Sequence, residues 1–167
     1  MEKLEISGLR SVYNGEAYLQ EGMDSLLAQT CSDWECVIIE DGSTDGTGAI
    51  LERYTGRDNR IRGYRNETNR RLPASLNRGL TLARGTYIVR MDADDVCRED
   101  RIEKQLAFMK THPQLSVSCC KVFSYKNGTG FPESAKRRGD AEATRALFLF
   151  FNPICHNGVI ARRDVMC

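Results

Sequence analysis

The strongest constraint in this chain is a repeated unit: a short apolar run that stops at a polar turn and is followed by apolar residues at helical spacing. Leu4 to Tyr13 reads as a first strand, with Arg10 and Ser11 interrupting its apolar character. In Glu16 to Gln29, the positions Leu19, Met23, Leu26 and Leu27 fall at i, i+4, i+7 and i+8, one face of a helix. Trp34 to Ile39 is a second apolar run, ending abruptly in Glu40-Asp41-Gly42-Ser43-Thr44-Asp45-Gly46-Thr47. Tyr87 to Met91 is a later run, and it stops at Asp92-Ala93-Asp94-Asp95.

Further elements fit the same rhythm. A short helix is expected from about Ala49 to Tyr54, a strand at Ile61 to Tyr64, and a helix from Pro73 to Ala83, whose proline suits a first helical turn. Another helix is expected from Asp100, as its side-chain cap, to Lys110, ending before His112-Pro113. Leu115 to Tyr125 is strand-like, Asn127-Gly128 is a turn signal, Lys126 to Gly139 reads as a polar loop, and Ala141 to Phe151 as an apolar helix. Alternation from residue 4 to about 125 predicts an α/β fold, a mostly parallel sheet with helices on both faces.

Composition narrows the function. At 167 residues the chain has room for one domain with a real core, and 24 Lys+Arg against 23 Asp+Glu leave a net charge of +1. A near-neutral chain is a poor wholesale binder of nucleic acid, whose affinity comes from neutralising many phosphates at once. No apolar run approaches the ~18–20 residues that cross a bilayer, and Met1 to Ser7 does not read as a signal peptide. The seven cysteines, odd in number and without a C-x-x-C pair, fit reduced thiols in a cytoplasmic protein. Asn66-Glu67-Thr68 and Asn127-Gly128-Thr129 match the glycosylation pattern, which carries no weight without secretion.

In an open parallel sheet the ligand crevice lies beyond the carboxyl ends of the strands. Three such ends stand out: Ser11 to Asn14, Glu40 to Asp45, and Asp92 to Asp95. Carboxylates crowded together repel unless a cation or a donor-rich ligand offsets them. Asp92, Asp94 and Asp95 offer the hard oxygens that Mg²⁺ or Mn²⁺ prefer, leaving coordination positions for water and phosphate. The competing structural role for one of these acids, and for Asp41, is to cap the helix that follows.

Ser11-Val12-Tyr13-Asn14-Gly15-Glu16-Ala17-Tyr18-Leu19, Ser25 to Thr30, Glu40 to Asp45, Asn77-Arg78-Gly79-Leu80, Ala83-Arg84-Gly85 and Met91 to Asp95 together resemble the blocks of family 2 glycosyltransferases, in the same order. The resemblance implies a GT-A (Rossmann-like) nucleotide-binding fold, an inverting, metal-dependent sugar transfer from a nucleotide diphosphate donor, a UDP-sugar first among them, and a saccharide or lipid-linked acceptor. It places Ser11, Tyr13, Asn14, Asp41, Asp92 and Ala93 at the nucleotide, with Tyr13 near the base and Asp41 accepting a hydrogen bond from it. Asp92, Asp94 and Asp95 fall at the metal, Mn²⁺ or Mg²⁺, and His156, in Asn152 to Ile160, at the donor site. It also suggests polysaccharide assembly at the cytoplasmic face of a membrane, with peripheral association.

Two departures bear on this. Arg10-Ser11 replaces the family's usual apolar residue and proline, so the strand is expected to bend differently there, and Arg70-Arg71 stands where a glycine is common. From the basic cluster of Arg57, Arg60, Arg62, Arg65, Arg70 and Arg71, Arg71 is the candidate for the diphosphate; solvation is the ordinary fate of the others. Inverting transfer also needs a general base. The family's base lies well after the histidine segment, so it is expected beyond Cys167, and residues 1–167 read as one nucleotide-sugar-binding domain truncated before the base and the acceptor region. Competing readings are a haloacid dehalogenase-type phosphatase with Asp92 as nucleophile, a sugar nucleotidyltransferase, and a non-enzymatic RNA-binding module built on the arginines.

Overall fold

A computed structural model describes residues 4–126, 129–132, 142 and 154–166. Its elements run β1 (Ile6–Val12), α1 (Leu19–Leu27), β2 (Trp34–Glu40), α2 (Thr47–Arg57), β3 (Ile61–Arg65), α3 (Arg71–Leu82), β4 (Tyr87–Arg90), α4 (Arg101–Thr111), β5 (Val117–Cys119), β6 (Phe123–Lys126), β7 (Thr129–Pro132) and β8 (Val159–Arg162). Six strands form one sheet in the order β3-β2-β1-β4-β8-β5. The β3-β2, β2-β1 and β1-β4 ladders are parallel; β8 runs antiparallel to both β4 and β5. The expected mostly parallel α/β sheet is therefore present, closed on one side by antiparallel strands.

Side-chain alternation sends β1 and β2 into two cores. Ile6, Val12, Trp34, Cys36 and Ile38 join Leu19, Met23 and Leu26 of α1, together with Ile102 and Met109 of α4. Leu9, Val37, Ile39 and Ile88 form the opposite core, against Leu76 and Leu80 of α3. Burial on both faces is why β2 reads as a nearly continuous apolar run. Gly79 lets α3 come close, since a Cβ there would lie 2.3 Å from Leu9 Cδ1.

Several sequence expectations need correction. β1 does not depart from its ladder at Arg10-Ser11: pairing with β2 runs unbroken from Ile6 opposite Trp34 to Val12 opposite Glu40. The Asp100 side chain makes no capping hydrogen bond; its carboxylate is taken by Lys104 Nζ at 2.6 Å and Arg98 Nη2 at 3.0 Å. Leu115 to Tyr125 is not one strand but β5 and the start of β6, which belong to different sheets. The polar stretch from Lys126 includes β7, paired antiparallel with β6 from Phe123 opposite Pro132 to Lys126 opposite Thr129. The Asn127-Gly128 turn and nearly all of the helix expected at Ala141 to Phe151 lie outside the described residues. Among the described residues no helix is long and apolar enough to cross a membrane, and Cys31, Cys36, Cys97, Cys119 and Cys120 are free thiols.

At the amino end of β2 sits an acid hidden inside an apolar-looking run. Glu35 is 2% exposed. Its Oε1 accepts hydrogen bonds from Ser7 Oγ at 2.7 Å and the Arg84 N–H at 2.7 Å, and its Oε2 from Arg62 Nη1 and Arg84 Nε, each at 2.8 Å. Burial pushes its pKa up, but these donors outweigh it and hold the carboxyl below its ordinary value. Since the folded carboxyl titrates below its unfolded value, its contribution is complete above about pH 4.3 and is lost as the pH falls through the folded value. Glu35→Gln is expected to cost about 2 kcal/mol near neutral pH. In urea titrations the gap from wild type should close as the pH drops below about 4.

Candidate functional site

The parallel strands β1, β2, β3 and β4 point their carboxyl ends to one edge of the sheet, and register decides what meets there. β1 and β2 stop together, with Val12 opposite Glu40, so Tyr13-Asn14 lies beside Asp41. The Asp41 N–H donates to the Val12 carbonyl at 2.8 Å, carrying the ladder one step further. Asn14 turns the chain in a left-handed conformation, φ 48°, which asparagine tolerates better than most residues. Its Oδ1 accepts from the Thr44 N–H at 3.0 Å, and its own N–H donates to Ser43 Oγ at 3.0 Å. The Gly15 N–H donates to Thr47 Oγ1 at 2.8 Å, and the Glu16 N–H to Asp45 Oδ2 at 3.1 Å. Tyr13, the first residue beyond β1, is 46% exposed.

Asp41 does not cap α2, whose N-cap is Gly46; it is Asp45, just before it, that accepts from the first N–H of the helix, Thr47, at 3.0 Å. Asp41 instead faces the start of α3 and is 2% exposed. Its Oδ1 accepts from Asn66 Nδ2 at 2.6 Å, Ser75 Oγ at 2.8 Å and the Arg70 N–H at 2.9 Å. Burial pushes its pKa up; the Arg70 N–H, Asn66 and Ser75 pull it further down, leaving it below the ordinary value. Gly42 makes this approach achievable: its φ is +73°, and a Cβ there would lie 2.8 Å from the Thr68 carbonyl carbon.

The third strand end is an acidic loop resting on a buried cation. Arg90, 7% exposed, reaches Asp92 Oδ1 with Nη1 at 2.5 Å. His156, in the turn that leads into β8, puts Nε2 3.1 Å from Asp92 Oδ2. It arrives there because β8 pairs with β4, Ile160 opposite Val89. Asp95 Oδ2 accepts from the Asp92 N–H at 3.3 Å, Ala93 is buried, and Asp94 is exposed without a polar partner among the described residues.

Among the described residues no three His, Cys, Asp or Glu side chains converge as a metal cage. The free carboxylate of Asp94 with Asp95 beside it fits a hard divalent cation that takes one or two protein oxygens and fills its remaining positions with water and phosphate. Asp92 is already committed to Arg90 and His156. Ser11 is half-buried at the end of β1. Arg71 is exposed at the start of α3 with φ 69°, its N–H on Asn69 Oδ1 at 2.9 Å, next to the Arg70 N–H that meets Asp41. Three of the six clustered arginines are held by acids: Arg60 by Asp58, Arg62 by Glu35 and Arg65 by Glu40.

Three residues at this edge escape a reading of the sequence: Asn66, Ser75 and Arg90. Asn66 and Ser75 sit in separate segments with no local pattern linking them to Asp41. Arg90 left a signal, a lone cation inside a four-residue strand whose neighbours Ile88 and Val89 are apolar.

The family model for Glycosyl transferase family 2 matches residues 11–166. An uncharacterized glycosyltransferase of Haemophilus influenzae is 33% identical over 169 residues, covering 96% of this chain and 52% of that protein. Among solved structures, S. aureus TarS 1-349 in complex with UDP-GlcNAc is similar with a TM-score of 0.80 at 26% identity, over 97% of this chain and 46% of that one. The mannosyltransferase PcManGT from Pyrobaculum calidifontis, in complex with GDP-Man and Mn²⁺, shares the fold, with a TM-score of 0.65 at 22% identity over 73% of this chain and 37% of that one. The chain spans about half the length of the curated relatives it matches.

Removing one donor from Asp41 tests how its pocket is held. Ser75→Ala is expected to raise the carboxyl's pKa toward the ordinary range and to destabilise the fold by about 1 kcal/mol at neutral pH. NMR titration of the Asp41 carboxyl and urea denaturation read the two effects. The stability difference should shrink in acid, where a carboxyl with a depressed pKa becomes protonated and loses its contribution.

Proposed function

The chain belongs to glycosyltransferase family 2, and on that premise we propose that it binds a nucleotide-sugar donor, a UDP-sugar first among them, and serves an inverting, metal-assisted transfer to a saccharide or lipid-linked acceptor. The observation that carries this reading is the meeting of Tyr13-Asn14, Asp41 and the Asp92 to Asp95 loop along one sheet edge. TarS, similar over nearly the whole of this chain, is known with UDP-GlcNAc bound.

Each residue has a part that its geometry allows. The exposed Tyr13 ring offers a stacking face for the base, worth about 1–3 kcal/mol. Three donors on Asp41 Oδ1 orient the carboxylate and leave it lone pairs for an N–H of the base. Ser11 and Asn14 line the strand end beside it, and the Arg71 guanidinium is free to meet a phosphate. Asp92, between Arg90 and His156, is fixed in place, and with Ala93 it marks the floor of the donor site. Asp94, with Asp95, is left to hold Mn²⁺ or Mg²⁺. A divalent cation there supplies Lewis-acid stabilisation of the charge that builds on the departing nucleoside diphosphate.

We read these residues, which span about half the length of the curated relatives they match, as one donor-binding domain. The free thiols of Cys31, Cys36, Cys97, Cys119 and Cys120 suit the cytoplasm, where we place the protein, with peripheral contact to a membrane if the acceptor is lipid-linked. The phosphatase, nucleotidyltransferase and RNA-binding readings find no support in the family match, and half of the arginines invoked for RNA are already held by acids.

Calorimetric titration with UDP, in EDTA and in Mn²⁺, tests the proposal. UDP is expected to bind, Mn²⁺ to strengthen binding, and Asp94→Ala to lower affinity in Mn²⁺ by about tenfold or more, to the wild type's metal-free level. Absence of nucleotide binding under both conditions, or accumulation of phosphate on Asp92 with a phosphate ester, would overturn it.

A further inference from the structure

Arg10 stands in the middle of the sheet with no exposed surface at all. Among the described residues its Nε and Nη1 have no hydrogen-bond partner, and its Nη2 meets only the sulfur of Met91, a weak acceptor, at 3.5 Å. An unpaired cation in a core is expensive, and the β1 positions two residues to either side on the same face, Gly8 and Val12, carry no charge. A feature with that cost is kept where something else uses the charge.

Its position shows what that is. Met91 directly precedes Asp92. Above Arg10, α1 carries Gly22, and a Cβ built there would lie 2.8 Å from Arg10 Nη1, 2.7 Å from the Ala93 carbonyl oxygen and 3.0 Å from the Asp95 carbonyl oxygen. The guanidinium and the backbone of the acidic loop thus meet around a single point that only a glycine leaves open. The loop has three carboxylates. Arg90 neutralises Asp92 directly, Arg101 Nη2 rests on the Arg90 carbonyl at 3.1 Å, and Arg10 is a further cation beneath the loop, with no acid among the described residues at hydrogen-bonding range.

We infer that Arg10 is a buried counter-charge for the Asp92 to Asp95 loop that lets the crevice hold a nucleoside diphosphate with reduced dependence on the divalent cation. The inference rests on the donor-site reading above. Its physics is simple: one positive charge beneath the loop offsets one of the two carboxylates that Arg90 leaves uncompensated. The loop then repels a diphosphate less and attracts a cation less. A unit charge at roughly 10 Å in a medium of effective dielectric about 20 changes the affinity for each unit of opposite charge by about tenfold.

The test compares UDP binding in EDTA and in Mn²⁺ for the wild type, Arg10→Met and Arg10→Lys, using calorimetry, with thermal unfolding beside it. Arg10→Met replaces an unpaired charge by an apolar chain and should unfold no lower than the wild type. Its affinity for UDP in EDTA should fall about tenfold or more, while the strengthening by Mn²⁺ grows by a similar factor; Arg10→Lys, which keeps the charge, should stay near the wild-type ratio. If Arg10→Met does not fold, Arg10→Gln takes its place. An unchanged ratio in the neutral variant, or an equal loss in both conditions, overturns the counter-charge and leaves the donor site standing. No UDP binding by the wild type in either condition overturns both.

Discussion

The register between β1 and β2 is the constraint on which the site depends. Seven consecutive pairs, from Ile6–Trp34 to Val12–Glu40, make the two strands end together. Slipping one residue would turn every side chain to the other face, sending Leu9 into the core under α1 and Arg10 into the one under α3. Register is over-determined at both ends: Ser7 and Glu35 lock the amino end through a shared hydrogen bond, and Asn14, Ser43 and Thr47 lock the carboxyl end. The site is therefore attached to rigid elements rather than assembled from free loops, as precise positioning requires.

The two ends of β2 solve one electrostatic problem in two ways. Glu35 and Asp41 are both buried acids held below their ordinary pKa by donors. At Glu35 both oxygens are fully used, by Ser7, Arg62 and Arg84, so nothing is left over for a ligand. At Asp41 the donors are neutral groups gathered on Oδ1. The carboxylate keeps its charge and part of its acceptor capacity. The difference separates an acid that stabilises the fold from one available to bind.

Much of this was legible in the sequence. Apolar runs that stop at acidic turns gave away β1, β2 and β4, because strands buried on both faces are apolar throughout and their ends carry the first residues that can meet solvent. Asp41, Asp92 and His156 were also in view, and His156 does reach Asp92. What stayed hidden has a common cause. Asn66 and Ser75 matter through contacts with Asp41 from segments far apart in the chain, and local periodicity says nothing about such contacts. Asp100 shows the same limit in reverse: a sound local cap residue was taken by two nearby cations. Glu35 was lost inside a run whose apolar neighbours dominated its reading.

Arg10 shows where local rules fail most usefully. By strand propensity and by position it should be apolar, and the ladder accepts it without interruption, so its cost falls on solvation rather than on backbone geometry. The nearby arginines differ. Arg62, Arg65 and Arg90 each face a carboxylate that the fold itself supplies, and each would be explained by stability alone. The Arg10 guanidinium meets a thioether and, among the described residues, no carboxylate. Consistency between sequence pattern and fold is the general condition for a stable chain, and the positions that break it without internal compensation are those where function is most plainly written.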